Sequence, residues 1–194
     1  MMISKDLKRH AARVLAKLQG HGWERNDEGG VFVPGYGHIR GRYRDFMGEE
    51  TNTLTFEGAN YIMMAGLKGG PQEAGFYLSL FENSYTPTRD LTAAEFAATA
   101  GEIVSATEGY TQPTRPAWLP SDASQAAMHN DANTAEFTIA TDTELVVRGA
   151  ALLSDPVKGS DSGVLISASR FSNPRRLYDA QPYRLAYEVY IEPV

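Results

Sequence analysis

Arg40, Arg42 and Arg44, three guanidinium groups spaced by two, are the side chains whose type and placing come closest to a chemical device in this chain. Alternate residues of an extended segment point to one side, so the three forks would stand in a row, with Ile39, Tyr43 and Phe46 interleaved. Such a row can hold carboxylates bidentately, follow a phosphate backbone or be solvated. Docking on an acidic surface of a partner subunit is the favoured use, because the rest of the same chain is acidic. Tyr43, and Trp118 on a long loop, join the arginines as candidate partner-binding residues.

The other reactive types form no constellation. The four histidines, His10, His21, His38 and His129, include no pair one, two or four residues apart and no His-Glu-x-x-His, so ordinary surface roles are expected. No Gly-x-Ser-x-Gly elbow occurs. Glu49 and Glu50 are adjacent, and neighbours on a strand point to opposite faces, so they cannot flank a sugar as a paired acid and nucleophile; Glu57 follows the same strand. The stretch from Asp155 to Asp161 looks superficially like a calcium loop but lacks alternating Asp or Asn ligands, and a turn is expected. Gly35-Tyr36-Gly37 has no following Lys-Ser or Lys-Thr, so it is no phosphate cradle. These readings predict a protein without catalysis, cofactor or metal.

Charge divides the chain. Residues 1–48 carry nine basic and five acidic side chains, residues 49–194 nine and nineteen, so a +4 segment precedes a −10 one in a chain of net −6. Opposite fields of this kind steer association. The acidic total argues against nonspecific nucleic-acid binding. Cysteine is absent, which excludes disulfides and thiolate metal sites. The first apolar stretch is broken by Lys5, Lys8, Arg9 and Arg13 and no run is long enough to span a bilayer, so a soluble, untargeted chain is expected.

The elements that would position these groups fall into two parts. Residues 4–19 place Leu7, Ala11, Val14, Leu15 and Leu18 on one helical face, with Ser4 as cap and Gly20 and Gly22 as stop. Residues 22–48 are glycine-rich, as an extended arm or a small ribbon would be. A strand over 51–56, a turn at Glu57-Gly58-Ala59-Asn60, an apolar helix over 61–67 and a strand over 75–81 with two apolar faces follow. Thr92 and Glu95 form a capping-box pattern before a small helix. Residues 107–133 read as a long loop, closed by strands over 135–140, 144–153, 163–168 and 183–191, with Asn173-Pro174 as a turn. Without long intervening helices the strands cannot be parallel crossovers. The expected fold is mainly β, an antiparallel β-sandwich or jelly-roll-like body over 49–194 with short inserted helices, preceded by a helix and docking arm over 1–48. Phe76, Leu78, Phe137, Ile139, Leu145, Val147, Leu165, Leu185 and Val189 are the expected core. Trp118 either plugs one end of the body or anchors a partner.

From Leu54 onward the chain resembles a group of virion structural proteins of tailed bacteriophages. The resemblance rests on Leu54-Thr55-Phe56-Glu57-Gly58-Ala59-Asn60 before a short apolar helix, Gly75-Phe76-Tyr77-Leu78-Ser79-Leu80-Phe81, Glu108-Gly109-Tyr110 with Arg115-Pro116-Ala117-Trp118, Arg148-Gly149-Ala150-Ala151-Leu152-Leu153, Gly163-Val164-Leu165-Ile166-Ser167 and a tyrosine-rich final strand. It implies a small β-rich part of the particle, on the capsid shell or at the neck or tail, with no catalysis, located in the virion and partnered by the major capsid protein or neighbouring subunits. Capsid decoration or cement is the leading expectation, as a homo-oligomer with a trimer the expected state. A neck, baseplate or fibre-attachment role, with a fibre as partner, is the alternative on the same particle. A carbohydrate-binding β-sandwich module using Trp118, Tyr110 and Asp122 is the alternative outside it. No membrane and no specific nucleic acid is expected as partner.

Overall fold

The computed structural model describes residues 24–25, 31–32 and 38–192. The helix expected over 4–19, His10, His21 and Gly35-Tyr36-Gly37 lie outside them. In the N-terminal unit, β1 (Glu24–Arg25) and β2 (Val31–Phe32) pair antiparallel, Glu24 opposite Phe32, as a small ribbon.

The second unit runs from Ile39 to Glu192. It is mainly β, with two antiparallel sheets and a few short helices. Its elements are β3 (His38–Asp45), β4 (Gly48–Thr51), β5 (Thr53–Leu54), α1 (Phe56–Leu67), β6 (Tyr77–Phe81), α2 (Ala93–Phe96), β7 (Gly109–Tyr110), β8 (Ala127–His129), β9 (Ala135–Ala140), β10 (Leu145–Leu153), β11 (Leu165–Leu177) and β12 (Pro182–Glu192). One sheet has the order β4-β3-β12-β9-β7, with β8 also on β12; the other is β5-β11-β10-β6.

The two compact units divide between His38 and Ile39. β3 lies inside a sheet, between β4 and β12, because its alternate residues turn Tyr43 into the core while the arginines face away. The Tyr43 hydroxyl meets Ser167 Oγ at 2.9 Å, Ser167 Oγ donates to the Tyr187 hydroxyl at 3.1 Å, and Asn52 Nδ2 donates to the same oxygen at 2.9 Å. These buried hydroxyls join β3 and β12 of one sheet to β11 of the other with every polar atom partnered, as burial requires.

β6 is covered on both faces, as its sequence suggests. Leu78 and Leu80 enter the larger apolar cluster and Phe81 a smaller one with Phe96 and Leu153. Of the expected core, Leu78, Phe137, Ile139, Leu145, Val147 and Leu185 are buried in the larger cluster, Phe76 and Val189 pack against it, and Leu165 belongs to the smaller. Burying each such side chain contributes about 1.5–3 kcal/mol.

Three local expectations are corrected. The helix starts at Phe56, with Thr55 Oγ1 accepting the Gly58 N–H at 2.9 Å, so the expected turn over 57–60 is its first turn. Gly58 is needed for closeness: a Cβ there would collide with the Ile166 backbone of β11. β11 runs on past Ala168 to Leu177, because the register slips between Gly149 opposite Arg170 and Val147 opposite Arg175, looping out the residues that contain Asn173 and Pro174. A bulge is where a strand tolerates a proline without an N–H to give. The long loop contains β7 and β8. β8 and β9 lie end to end along β12, and across the break the buried Asn130 side-chain oxygen accepts the Tyr187 N–H at 2.7 Å, replacing the missing ladder bond.

Candidate interaction surface

Arg42 and Arg44 do match carboxylates, but of their own chain. Arg42 Nε lies 2.5 Å from Glu188 Oε2 and its Nη1 3.2 Å from Glu49 Oε2. Arg44 Nη2 donates to both Asp131 oxygens at 2.8 Å and lies 3.6 Å from Glu188. The bond to Glu188 raises the Arg42 guanidinium above its ordinary value, against the lowering effect of burial. Arg40 is exposed. Tyr43 is fully buried and presents nothing to a partner. Trp118 takes the plug role: it is almost wholly buried, stacks edge-on against Tyr187 and donates its Nε1–H to the Tyr187 carbonyl at 3.0 Å. Tyr110 is buried too, so neither aromatic offers a platform to a sugar ring.

The carboxylates serve structure. Glu57 Oε2 accepts the N–H of Ala93 at 2.9 Å and of Leu165 at 2.7 Å, tying α1 to the start of α2 and to β11. Glu50 accepts from Ser172 and Arg175. In the turn over 155–161, Asp155 accepts the Val157 N–H at 2.8 Å and the Ser160 hydroxyl at 2.7 Å, and these bonds hold its carboxyl below the usual range. Both its oxygens are thereby engaged within the turn itself.

Two buried ion pairs carried no signal in the sequence. Arg115 pairs with Glu102 in a two-point fork, Nε to Oε1 and Nη2 to Oε2, both at 2.7 Å and both side chains 0% exposed. Glu102 also accepts from Ser79 at 2.6 Å and the Gly159 N–H at 2.8 Å, and Arg115 Nη1 donates to the Asp155 carbonyl at 2.8 Å. β6, the Pro-rich loop and the turn over 155–161 are thus held at one point. Arg175 pairs with Asp45 at 2.7 Å, lies over the Phe171 ring, and shares Asp45 with the Tyr183 hydroxyl. Periodicity reports neither, since each partner is distant in the chain and polar.

Among the described residues, α1 carries four of the eleven exposed large apolar side chains. Its inner side sets Gly58, Tyr61 and Ile62 toward the body, and Tyr61 packs edge-on against Phe76. On the other side Phe56, Met63, Met64 and Leu67 are 54%, 57%, 45% and 84% exposed. Large apolar groups on both faces are the pattern of a covered helix, and an exposed patch of this kind marks an interaction site. Beneath the inner side lies an apolar cavity of about 540 Å³, bounded by Tyr61, Phe76, Trp118, Met128 and Val189, with no charged side chain among the described residues of its wall. At its rim Gln125 and Ala126 both have positive φ in the tight turn from Ser124 to Ala127. The surface can bury apolar matter; among the described residues that line it, no acid, base and nucleophile converge.

Compared with models of known protein families and with curated proteins, the chain matches none.

Proposed function

We propose that this chain is a structural protein of a tailed-bacteriophage virion, its two sheets forming a β-sandwich that sits on the capsid shell as decoration or cement and associates with further copies of itself. The outward apolar face of α1 carries the reading: a helix with Phe56, Met63, Met64 and Leu67 in water gains stability only when another surface covers it. The internal use of the carboxylates and of Arg42 and Arg44 supports a scaffold rather than a reaction centre, and the order of motifs that resembles virion proteins supplies the particle. The protein acts by mass action, binding the assembled shell and not its dissociated subunits. Quantitative mass spectrometry of purified particles tests it. Hundreds of copies per particle are expected for the shell; a dozen or fewer would move the protein to the neck or fibre base, and none would remove the virion reading.

A further inference from the structure

The outward residues of α1 are ordered as a seam. Phe56, Asn60, Met63 and Leu67 follow one another at intervals of four, three and four residues, the spacing that keeps side chains on one stripe facing a second helix. Met64 flanks the stripe, and no charged side chain lies on it. Its fixed point is Asn60, exposed at the centre of an otherwise apolar row.

We propose that α1 is the self-association element: copies of this chain pack α1 against α1 in parallel around a rotation axis that runs along the helix. The inference rests on the assembly reading above and names its contact. The occupant is a second copy because of Asn60. A bilayer, an aliphatic ligand or an unrelated apolar helix would cover Phe56, Met63 and Leu67 but leave the Asn60 amide without a partner in an apolar layer. An identical helix in parallel brings Asn60 opposite Asn60, where each amide can both give and accept, and a single polar layer fixes register. An antiparallel pair would place Asn60 against Met63 and lose that match. Flanking Phe56, Met63 and Leu67 then meet their own kind in successive layers, and the methionines adapt to the fit. Cyclic symmetry follows from the parallel arrangement.

The chain has no cysteine, which makes the test direct. Full-length Asn60→Cys, oxidised at dilute concentration, should give a covalent pair, whereas Thr143→Cys in the turn between β9 and β10 should not. Light scattering of the parent chain should show an oligomer, and Met63→Glu with Leu67→Glu should weaken association by about a hundredfold or more with unchanged circular dichroism. A monomeric parent, an oligomer indifferent to that double substitution, or a link that forms between Phe56→Cys and Leu67→Cys chains but not through position 60 would each overturn the proposal. So would a monomer that binds phosphatidylcholine vesicles through this face. A monomer that still co-purifies with particles removes only the self-association; an oligomer found on no particle removes the virion reading and leaves the seam standing.

Discussion

Arg115→Met is the substitution whose effect the structure fixes best. It removes both bonds of the fork to Glu102 and the donor to the Asp155 carbonyl, and leaves a carboxylate with 0% exposure hydrogen-bonded to Ser79 and the Gly159 N–H, with Lys158 the nearby cation. Breaking a buried pair by deleting one member costs about 3–5 kcal/mol, because the remaining charge stays out of water without its counter-ion. For a chain of this length each kcal/mol lowers Tm by about 2–4 °C, so a fall of about 6–20 °C is expected. Glu102→Gln combined with Arg115→Met removes both charges and keeps an acceptor for Ser79 or Gly159. The double variant should therefore be more stable than Arg115→Met alone by about 1–2 kcal/mol. Urea unfolding followed by tryptophan fluorescence, with m checked for constancy, measures all three chains. A loss below about 1 kcal/mol for Arg115→Met, or a double variant no better than the single, would show that Glu102 reaches water and that the pair does not hold the loops together.

Gln125→Asn with Ala126→Gly places residues suited to positive φ in the turn from Ser124 to Ala127 and should stabilise the fold by about 0.5–1 kcal/mol in thermal unfolding; destabilisation would refute the turn geometry. Burial raises the Tyr187 hydroxyl from 10.0 to about 12, and raises Tyr43 and Tyr183 well above the same ordinary value. Raised folded-state values contribute stability that is complete below pH 10.0 and lost as pH climbs through the folded values, so absorbance at 295 nm should show these tyrosines ionising together with unfolding above about pH 10. Independent titration at pH 10 without unfolding would contradict their burial. Arg42→Glu with Arg44→Glu turns two attractions toward Glu188 into repulsions. Stability should fall by about 1–3 kcal/mol in urea unfolding, more at low salt than high, and salt-independent stability would show that the pairs are solvated.

The parts of the fold legible in the sequence are those written in short-range pattern. β6 reads correctly because apolar residues occupy both its faces, α2 because Thr92 and Glu95 stand three apart, and β12 because Tyr183, Leu185 and Tyr187 alternate. β3 misleads because its inward positions include Gly41 and Asp45, which carry no apolar signal. Asp45 belongs inside only because Arg175 and Tyr183 meet it there. Its outward arginines read as a docking strip, and pattern could not show that Arg42 and Arg44 also meet Glu188 and Asp131, which lie 146 and 87 residues further along the chain. The continuation of β11 is hidden by the polar residues of its bulge. As for the interaction surface, the apolar helix could be read over 61–67, but its start at Phe56 depends on Gly58 lying against Ile166, a tertiary contact. Only that start brings Phe56 and Asn60 into the outward stripe.

Methionine footprinting addresses the central claim, that α1 is the covered face in the assembly, most directly. Met63 and Met64 are 57% and 45% exposed in the isolated chain, and Met47, in the turn between β3 and β4, is 50% exposed and serves as an internal reference. Peroxide should convert all three to sulfoxide in the dilute chain at similar rates. In the assembled state, on particles or in the concentrated oligomer, Met63 and Met64 should be protected while Met47 continues to react. Equal oxidation of Met63, Met64 and Met47 in both states would contradict the account.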